Sequence, residues 1–308
     1  MTGMKTRLQR ISMKWNRLSA ARPRTSGDPV LCPHWTPACA GVSGWGPTSP
    51  PTQSALAAIL CLLPLLAGIV TAGAAEPCPG NPDALGTARV LAVDPATTPP
   101  VGRKQFPQTL PLHPREVVLT FDDGPWPGTT PRVLDALRHE CVRATFFLIG
   151  RNAAANAALA RRELAEGHTV AYHTWSHPLL DRMPLAAAEA EIDRGFGAVD
   201  TALYGRVEPN PVTPFFRFPG FASSPALLGE LARRRILVFG ADLWASDWNP
   251  MSPEQELALV SARLEAAGGG IVLFHDTKKE TAAMIPSFLR AIKSRGYRVV
   301  HVIPAGKD

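Results

Sequence analysis

The chain has 308 residues, 45% of them hydrophobic and 19% charged, enough to bury a substantial core, and this composition excludes a wholly disordered polypeptide. Its formal net charge of +6 would suit a nucleic-acid or anionic-surface binder, but seven basic residues and a single acid, Asp28, precede residue 76. The 25 basic and 25 acidic residues that follow cancel, so the nucleic-acid reading loses its support.

Taken in chain order, residues 1–54 read as an N-terminal extension with no folded role. Residues 25–54 hold no Lys or Arg, are rich in Pro, Trp and Gly, and separate the basic residues from the apolar run that follows. That arrangement predicts a translation start downstream of Met1. Residues 55–70 (ALAAILCLLPLLAGIV) are apolar and uncharged, interrupted by Pro64, and lead into the small residues Thr71 to Ala75. The pattern is that of a secretory signal cleaved after Ala74 or Ala75, so residues 55–75 are assigned as signal peptide and the protein as exported. An uncleaved membrane anchor and a buried core helix stay open as alternatives, although sixteen residues fall short of the ~20 that cross a bilayer. Cys32, Cys39 and Cys61 lie within or before the leader, leaving Cys78 and Cys141. An oxidising compartment permits a disulfide between these two, but two cysteines make no framework. Cys141 reads as core, and no metal is assigned to sulfur.

Residues 76–114 are rich in proline and small residues, which predicts a linker or wrapping arm of extended or irregular backbone. From 115 to 305 short apolar strands alternate with amphipathic helical stretches, the pattern of an α/β domain with a parallel sheet. Strands are expected at 117–121, 145–149, 169–173, 215–218, 236–240, 271–275 and 298–302. Helices are expected at 131–140, 153–165, 185–202, 225–235, 253–267 and 281–295. Seven such units predict an incomplete or distorted (β/α)7 barrel. The polar and unusual residues cluster where strands end, and in (β/α) barrels that C-terminal rim is where catalytic groups gather.

Five segments carry the chemistry. Thr120-Phe121-Asp122-Asp123-Gly124-Pro125 closes the first strand of the domain. Adjacent carboxylates repel unless a cation neutralises one or the turn solvates both, and Asp-Gly-Pro also reads as an ordinary turn. His173-Thr174-Trp175-Ser176-His177 places two imidazoles four residues apart, a spacing that lets them face one way on a helical turn and chelate one divalent metal. With a nearby carboxylate they would form a two-His, one-Asp set with positions open for water. Arg217, in Phe216-Arg217-Phe218-Pro219-Gly220, is expected to be buried against a carboxylate, as a catalytic group or a structural salt bridge. Trp244-Ala245-Ser246-Asp247-Trp248 offers aromatic faces to sugar rings or simply to the core. Finally, Ile271-Val272-Leu273-Phe274-His275-Asp276 ends a strand with an imidazole placed for general acid or base work, or for a satisfied place in the core.

In this order the five segments resemble those of the polysaccharide deacetylases of carbohydrate esterase family 4, over roughly residues 116–304. TFDDGP and HTWSHP match the first two family motifs almost letter for letter, and the other three match in spacing and key residues. The resemblance implies that Asp123, His173 and His177 bind a divalent metal, zinc first, with cobalt, manganese or nickel as alternatives. It implies that Asp122 is the general base, His275 the general acid, Asp247 the carboxylate partner of His275, and Arg217 the group that steadies Asp122. Trp248 and Leu273 would wall the acetyl or sugar pocket, and a backbone N–H near Gly220 would help bind the oxyanion. The implied partner is an N-acetylated glycan, with no nucleic acid, and with a membrane only if the apolar segment is an uncleaved anchor.

Two departures bear on that transfer. Gly220 precedes Phe221, whereas the family places an aromatic residue before the glycine, and Trp244 and Ala245 stand where members often show Asp and Ser. An O-acetyl esterase with the same metal site, or a non-catalytic carbohydrate-binding relative, is the alternative reading. The latter would have lost a metal ligand or a member of the catalytic pair, and Asp122, Asp123, His173, His177 and His275 are all present.

Overall fold

Strand β2 (Glu116–Asp122) is buried along its whole length, as a strand covered on both faces should be, and it anchors the architecture. The computed structural model describes residues 78–306, so the expected leader and signal segment lie outside the described residues. All strand pairings are parallel. Besides β2, the strands are β1 (Thr87–Val93), β3 (Thr145–Leu148), β4 (Thr169–Tyr172), β5 (Phe215–Phe216), β6 (Leu237–Val238), β7 (Leu243–Trp244), β8 (Gly270–His275) and β9 (Arg298–Pro304). They follow the order β7–β8–β2–β3–β4–β5–β6, with helices α1 (Thr130–His139), α2 (Gly150–Ala155), α3 (Ala157–Ala165), α4 (Leu185–Tyr204), α5 (Pro225–Arg233), α6 (Pro253–Ala267) and α7 (Lys279–Ser294) in the crossovers. This is the parallel α/β barrel expected from the sequence, incomplete because β6 and β7 do not pair with each other among the described strands.

Two hydrophobic layers hold it. The larger packs the helices against the outer faces of the strands through residues such as Leu119, Phe121, Phe146, Ile192 and Phe288. The smaller fills the barrel with Val118, Phe147, Ala171, Phe215, Phe239 and Ile271, the alternate positions of the same strands. Strand β9 runs beneath, pairing with Glu116 and Val117 at the start of β2, and the Thr169 hydroxyl at the start of β4 donates to the Val302 carbonyl. Its Val300 and Val302 plug the interior from that end.

Residues 78–114 are more structured than their proline content suggests. Their Thr87–Val93 segment alternates half-buried and exposed side chains and pairs with β9 as an edge strand. Farther on, Val101 bridges Phe239 at the open seam, and Asp242 accepts hydrogen bonds from the arm at Arg103 and Thr109 and from Ile271 of β8. The arm therefore covers the gap between β6 and β7.

Two further expectations are corrected, and one strand is added. Cys141 is half-buried and forms a disulfide with Cys78, Cα atoms 5.7 Å apart, instead of standing in the core. The single helix expected at 153–165 is two, broken at Asn156, whose side-chain amide donates to the Asn152 carbonyl and competes with helical bonding. The two-residue β7 lies inside the Trp244 segment, too short for a periodic signal. Helix α6 begins where the sequence places it because Ser252 and Gln255 form a capping box around Pro253 at its first position.

Candidate metal centre and acid–base cleft

The parallel register lays the site out. Asp122, the last residue of β2, lies directly opposite His275, the last residue of β8, and opposite Phe147 of β3. Leu148 of β3 pairs with Tyr172, which ends β4 and delivers His173 to the same rim. Five non-glycine residues hold left-handed backbone along this rim: Asp123 (φ 76°), Thr174 (65°), His177 (68°), Phe221 (58°) and Ser246 (62°). Each costs about 1 kcal/mol or more, and such residues gather where the surrounding structure must aim a functional group.

Asp123, His173 and His177 form the tightest cluster. The Oδ1 of Asp123 lies 3.4 Å from Nε2 of His177 and 3.6 Å from Nε2 of His173, and one ligand atom from each of the three residues falls within 4.8 Å of the others. Two donors at zinc bond lengths in tetrahedral array stand about 3.3 Å apart, so the spacing suits one ion. The chemistry agrees. Asp123 Oδ1 is buried without a hydrogen-bond donor among the described residues, and His173 donates its Nδ1–H to the Arg217 carbonyl at 2.7 Å. That bond leaves the His173 Nε2 lone pair facing Asp123. Burial drives His173 down to about 3, the pull of Asp123 notwithstanding, so its imidazole is neutral as a ligand must be. The histidines do not share a helical turn as their spacing suggested. They stand on an irregular loop, with ring centroids 4.9 Å apart.

That loop is fixed from behind. The Trp175 N–H donates to the Glu191 carbonyl and the Ser176 N–H to its carboxylate, Arg194 stacks 3.8 Å from the Trp175 ring, and Gly150 donates to the Thr174 carbonyl. Gly195 of α4 lets the loop approach, since a Cβ there would come within 2.5 Å of the Thr174 carbonyl carbon.

Asp122 and Arg217 are a buried ion pair. Arg217 is fully buried, its Nη1 donates to Asp122 Oδ1 at 2.6 Å and to Thr120 Oγ1 at 2.9 Å, and its Nη2 donates to the Gly240 carbonyl at 2.8 Å. The guanidinium also lies 4.3 Å from the centroid of the Phe147 ring. Burial pushes the Asp122 carboxyl above its ordinary range, opposed by Arg217 and more weakly by His275. The other oxygen of Asp122, Oδ2, lies 3.8 Å from His173 Nε2, beside the metal cluster.

Across the cleft, Asp247 accepts the Nδ1–H of His275 at 2.7 Å and the backbone N–H of His275 at 2.6 Å. Burial pulls His275 down, but the Asp247 hydrogen bond and charge, helped by Asp123 and Asp122, outweigh it and raise the imidazole to about 9. His275 is therefore protonated at neutral pH. Asp276, the next residue, is turned inward, accepts a hydrogen bond from Thr130, and would collide with a Cβ at Gly124. Burial pushes it up to about 7.

These groups open into a cavity of about 340 Å3. Asp122, Asp123, His173, His177 and His275 line it together with Gly220, Leu273 and the exposed Trp248, so the structure brings together every site residue named from the sequence, with Arg217 and Asp247 immediately behind. The sequence reading missed Phe218, Phe221 and Lys278, and it left Trp244 without a role in the wall. Phe221, Trp244, Trp248 and His275 form a run of ring contacts with successive centroids 5.9 to 6.0 Å apart. Their signal was the aromatic density of segments three and four, readable only once the strands are side by side.

Residues 110–233 match the family described as polysaccharide deacetylase. A chitooligosaccharide deacetylase from Bradyrhizobium is 31% identical over 204 residues, covering 62% of this chain and 90% of that protein. A peptidoglycan-N-acetylglucosamine deacetylase from Listeria monocytogenes is 32% identical over 190 residues, and the match spans 61% of this chain but only 38% of the Listeria protein. Among solved structures, a peptidoglycan deacetylase of Bdellovibrio bacteriovorus superposes with a TM-score of 0.63 at 33% identity, covering 71% of this chain and 59% of that one.

Proposed function

The chain belongs to the polysaccharide deacetylase family, and from that premise we propose that it is a metal-dependent hydrolase that removes N-acetyl groups from glucosamine residues of a glycan. The observation that carries the reading is the pairing of Asp122 with His275 across β2 and β8, beside the Asp123, His173 and His177 cluster. Base, acid and metal ligands meet in one cleft.

Asp123, His173 and His177 would hold the ion, zinc by preference, with cobalt, manganese or nickel as substitutes. Such an ion supplies Lewis-acid polarisation of the acetyl carbonyl and lowers the pKa of water in the site. Asp122, made more basic by burial and kept in place by Arg217, takes the proton from the attacking water. The oxyanion needs donors, and since the Phe221 N–H already bonds the Phe218 carbonyl, Gly220 is the residue on that turn suited to donate. His275 enters the reaction charged. It gives its proton to the nitrogen as the C–N bond breaks, because an amine leaves poorly unless protonated, while Asp247 holds the imidazolium in position. Acetate and a free amino sugar result.

Trp248 and Leu273 serve as walls for the acetyl group and sugar ring. Lys278 lines the cleft, and the Lys104 ammonium lies 5.5 Å from the ring centroid of Trp244 in its wall, so two cations stand at or near the cleft. That favours a glycan that carries carboxylates, as the peptide stems of peptidoglycan do and chitin does not. In this reading 115–305 is the catalytic domain, 76–114 its docked arm, and the protein acts outside the cytoplasm. The Cys78–Cys141 disulfide supports an oxidising location. No helix among the described residues is long and apolar enough to cross a membrane.

The test is acetate release from N-acetylglucosamine oligomers and from peptidoglycan, with chelator and with added zinc. Metal-dependent release from peptidoglycan in preference to the neutral oligomers is the expected result. Release from O-acetylated polymers alone, or saturable glycan binding with no release at all, would overturn the proposal.

A further inference from the structure

Behind the acid lies a second buried carboxylate. Glu256, on the first turns of α6, is fully buried, and its Oε1 lies 2.9 Å from the Oγ1 of Thr281, itself fully buried at the start of α7. The same Thr281 hydroxyl lies 3.0 Å from Oδ2 of Asp247. The row is continuous: Glu256, Thr281, Asp247, His275. The other oxygen of Glu256, Oε2, is buried with no hydrogen-bond partner among the described residues.

Counting protons decides how the row is wired. A threonine hydroxyl has one hydrogen and stands between two carboxylates, so it can serve only one of them. If both were ionised, the other would face an oxygen lone pair in a dry site and one more buried charge would go unpaired. One acid proton removes the conflict. Asp247 is the poor place for it, because Oδ1 accepts the imidazole N–H and Oδ2 the backbone N–H of His275. Glu256 has no such donors.

We infer that Glu256 holds a proton and donates it to Thr281 Oγ1, which commits the Thr281 hydroxyl to Asp247 and makes Thr281 and Glu256 positioning residues for the acid His275. The inference rests on the proposed role of His275. Its consequence is chemical. Asp247 then accepts three hydrogen bonds, two from His275 and one from Thr281, and the third spreads its charge. His275 stays protonated yet is a stronger acid than it would be against a carboxylate bound to it alone, which suits delivery of the proton to a departing amine. The charged and titratable groups facing Glu256 are Asp247 from the loop after β7, Glu280 from α7 and His275 from β8. Burial, with Asp247 and Glu280 adding to it against Thr281 and His275, pushes Glu256 up to about 7.

Infrared difference spectra and the imidazole pKa of His275 by NMR, both on the full-length zinc-loaded chain, test the wiring without reference to turnover. In wild type minus Glu256→Gln at neutral pH we expect the carbonyl band of a protonated carboxylic acid. Gln replaces one neutral donor with another, so the His275 pKa should stay where it is. Thr281→Val removes a donor from Asp247 and should raise that pKa by about half a unit, lowering kcat about two- to threefold with KM little changed. Absence of the acid band, or a lower His275 pKa in Glu256→Gln, would show that Glu256 was ionised and would overturn the inference. An unmoved pKa in Thr281→Val would also overturn it, because a merely structural threonine would alter stability alone. Should Thr281→Val fail to fold, the infrared and Glu256→Gln measurements still decide. If the chain proves to have no deacetylase activity, the acid band still reads the wiring, so the two proposals fail separately.

Discussion

Replacing Asp247 with asparagine tests the division of labour in the cleft most sharply. The imidazole of His275 is 13% exposed, and burial alone would hold it below its ordinary value of 6.5, so its position at about 9 is the work of Asp247 with smaller help from Asp123 and Asp122. With the Asp247 charge gone, burial should prevail and the imidazole fall to 6.5 or lower. A fall of about 2.5 units corresponds to roughly 3 kcal/mol in favour of the neutral form. At about pH 7.5 the protonated fraction would drop from about 97% to about 9%, a tenfold loss from population alone. Loss of the orienting carboxylate adds to this, for a combined fall of about 10² to 10⁴ in kcat. The assay is acetate release from an N-acetylated oligomer and from an O-acetyl ester across the full pH profile. The alkaline limb for the amide should move from near 9 to 6.5 or below, and the ester should lose less because an alkoxide needs less help to leave. The sign of the stability effect follows from the same shift. A folded pKa raised above the ordinary value stabilises fully below pH 6.5, and the contribution is lost as pH rises through about 9, a dependence the asparagine variant should lack. An alkaline limb that stays near 9 in Asp247→Asn would refute the reasoning.

The other predictions address ligands, loop and scaffold. Asp122→Asn should lower turnover by about 10³ while retaining the metal, whereas His173→Ala should lose metal and activity together, read by metal content beside acetate release. Gly195→Ala places a Cβ against the Thr174 backbone, so the His173–His177 loop must shift, and zinc titration should show an affinity about 10- to 100-fold weaker. Reducing the Cys78–Cys141 bridge, which spans 63 residues of sequence, should cost about 4 kcal/mol by the loop-entropy account, visible as a lower Tm with reductant.

The sequence was most legible where local chemistry repeats along the chain. Buried parallel strands such as β2 and β8 are largely apolar runs, and α6 announces itself through Ser252, Pro253 and Gln255, so the barrel and its rim are legible in the sequence. Illegible elements lacked a period. Strand β1 is half-exposed between proline-rich flanks, β7 has two residues, and the Cys78–Cys141 bridge depends on where an irregular arm lands. The arm's docking on the β6–β7 seam is set by Val101 and by Asp242, and no spacing rule links residues so far apart.

Within the site the same division holds, at the scale of single side chains. Residues that face the cleft from strand ends bring strong neighbours in sequence: Asp122 beside Asp123, His173 four before His177, His275 after an apolar strand. Residues that tune those groups do not. Glu256 and Thr281 sit among ordinary helix-forming neighbours near the starts of α6 and α7, where a glutamate is expected on a solvated face and a threonine excites no attention. Only the packing of those two helices, α6 after the loop that carries Asp247 and α7 after the strand that ends in His275, turns them inward to a common point. A carboxylate so placed cannot be an accident of surface charge, since burying it unprotonated would cost several kcal/mol and burying it protonated costs far less. The cheaper state is also the one that completes the hydrogen bonds of Asp247, so the proton that lets Glu256 be buried is the proton that holds the acid in place.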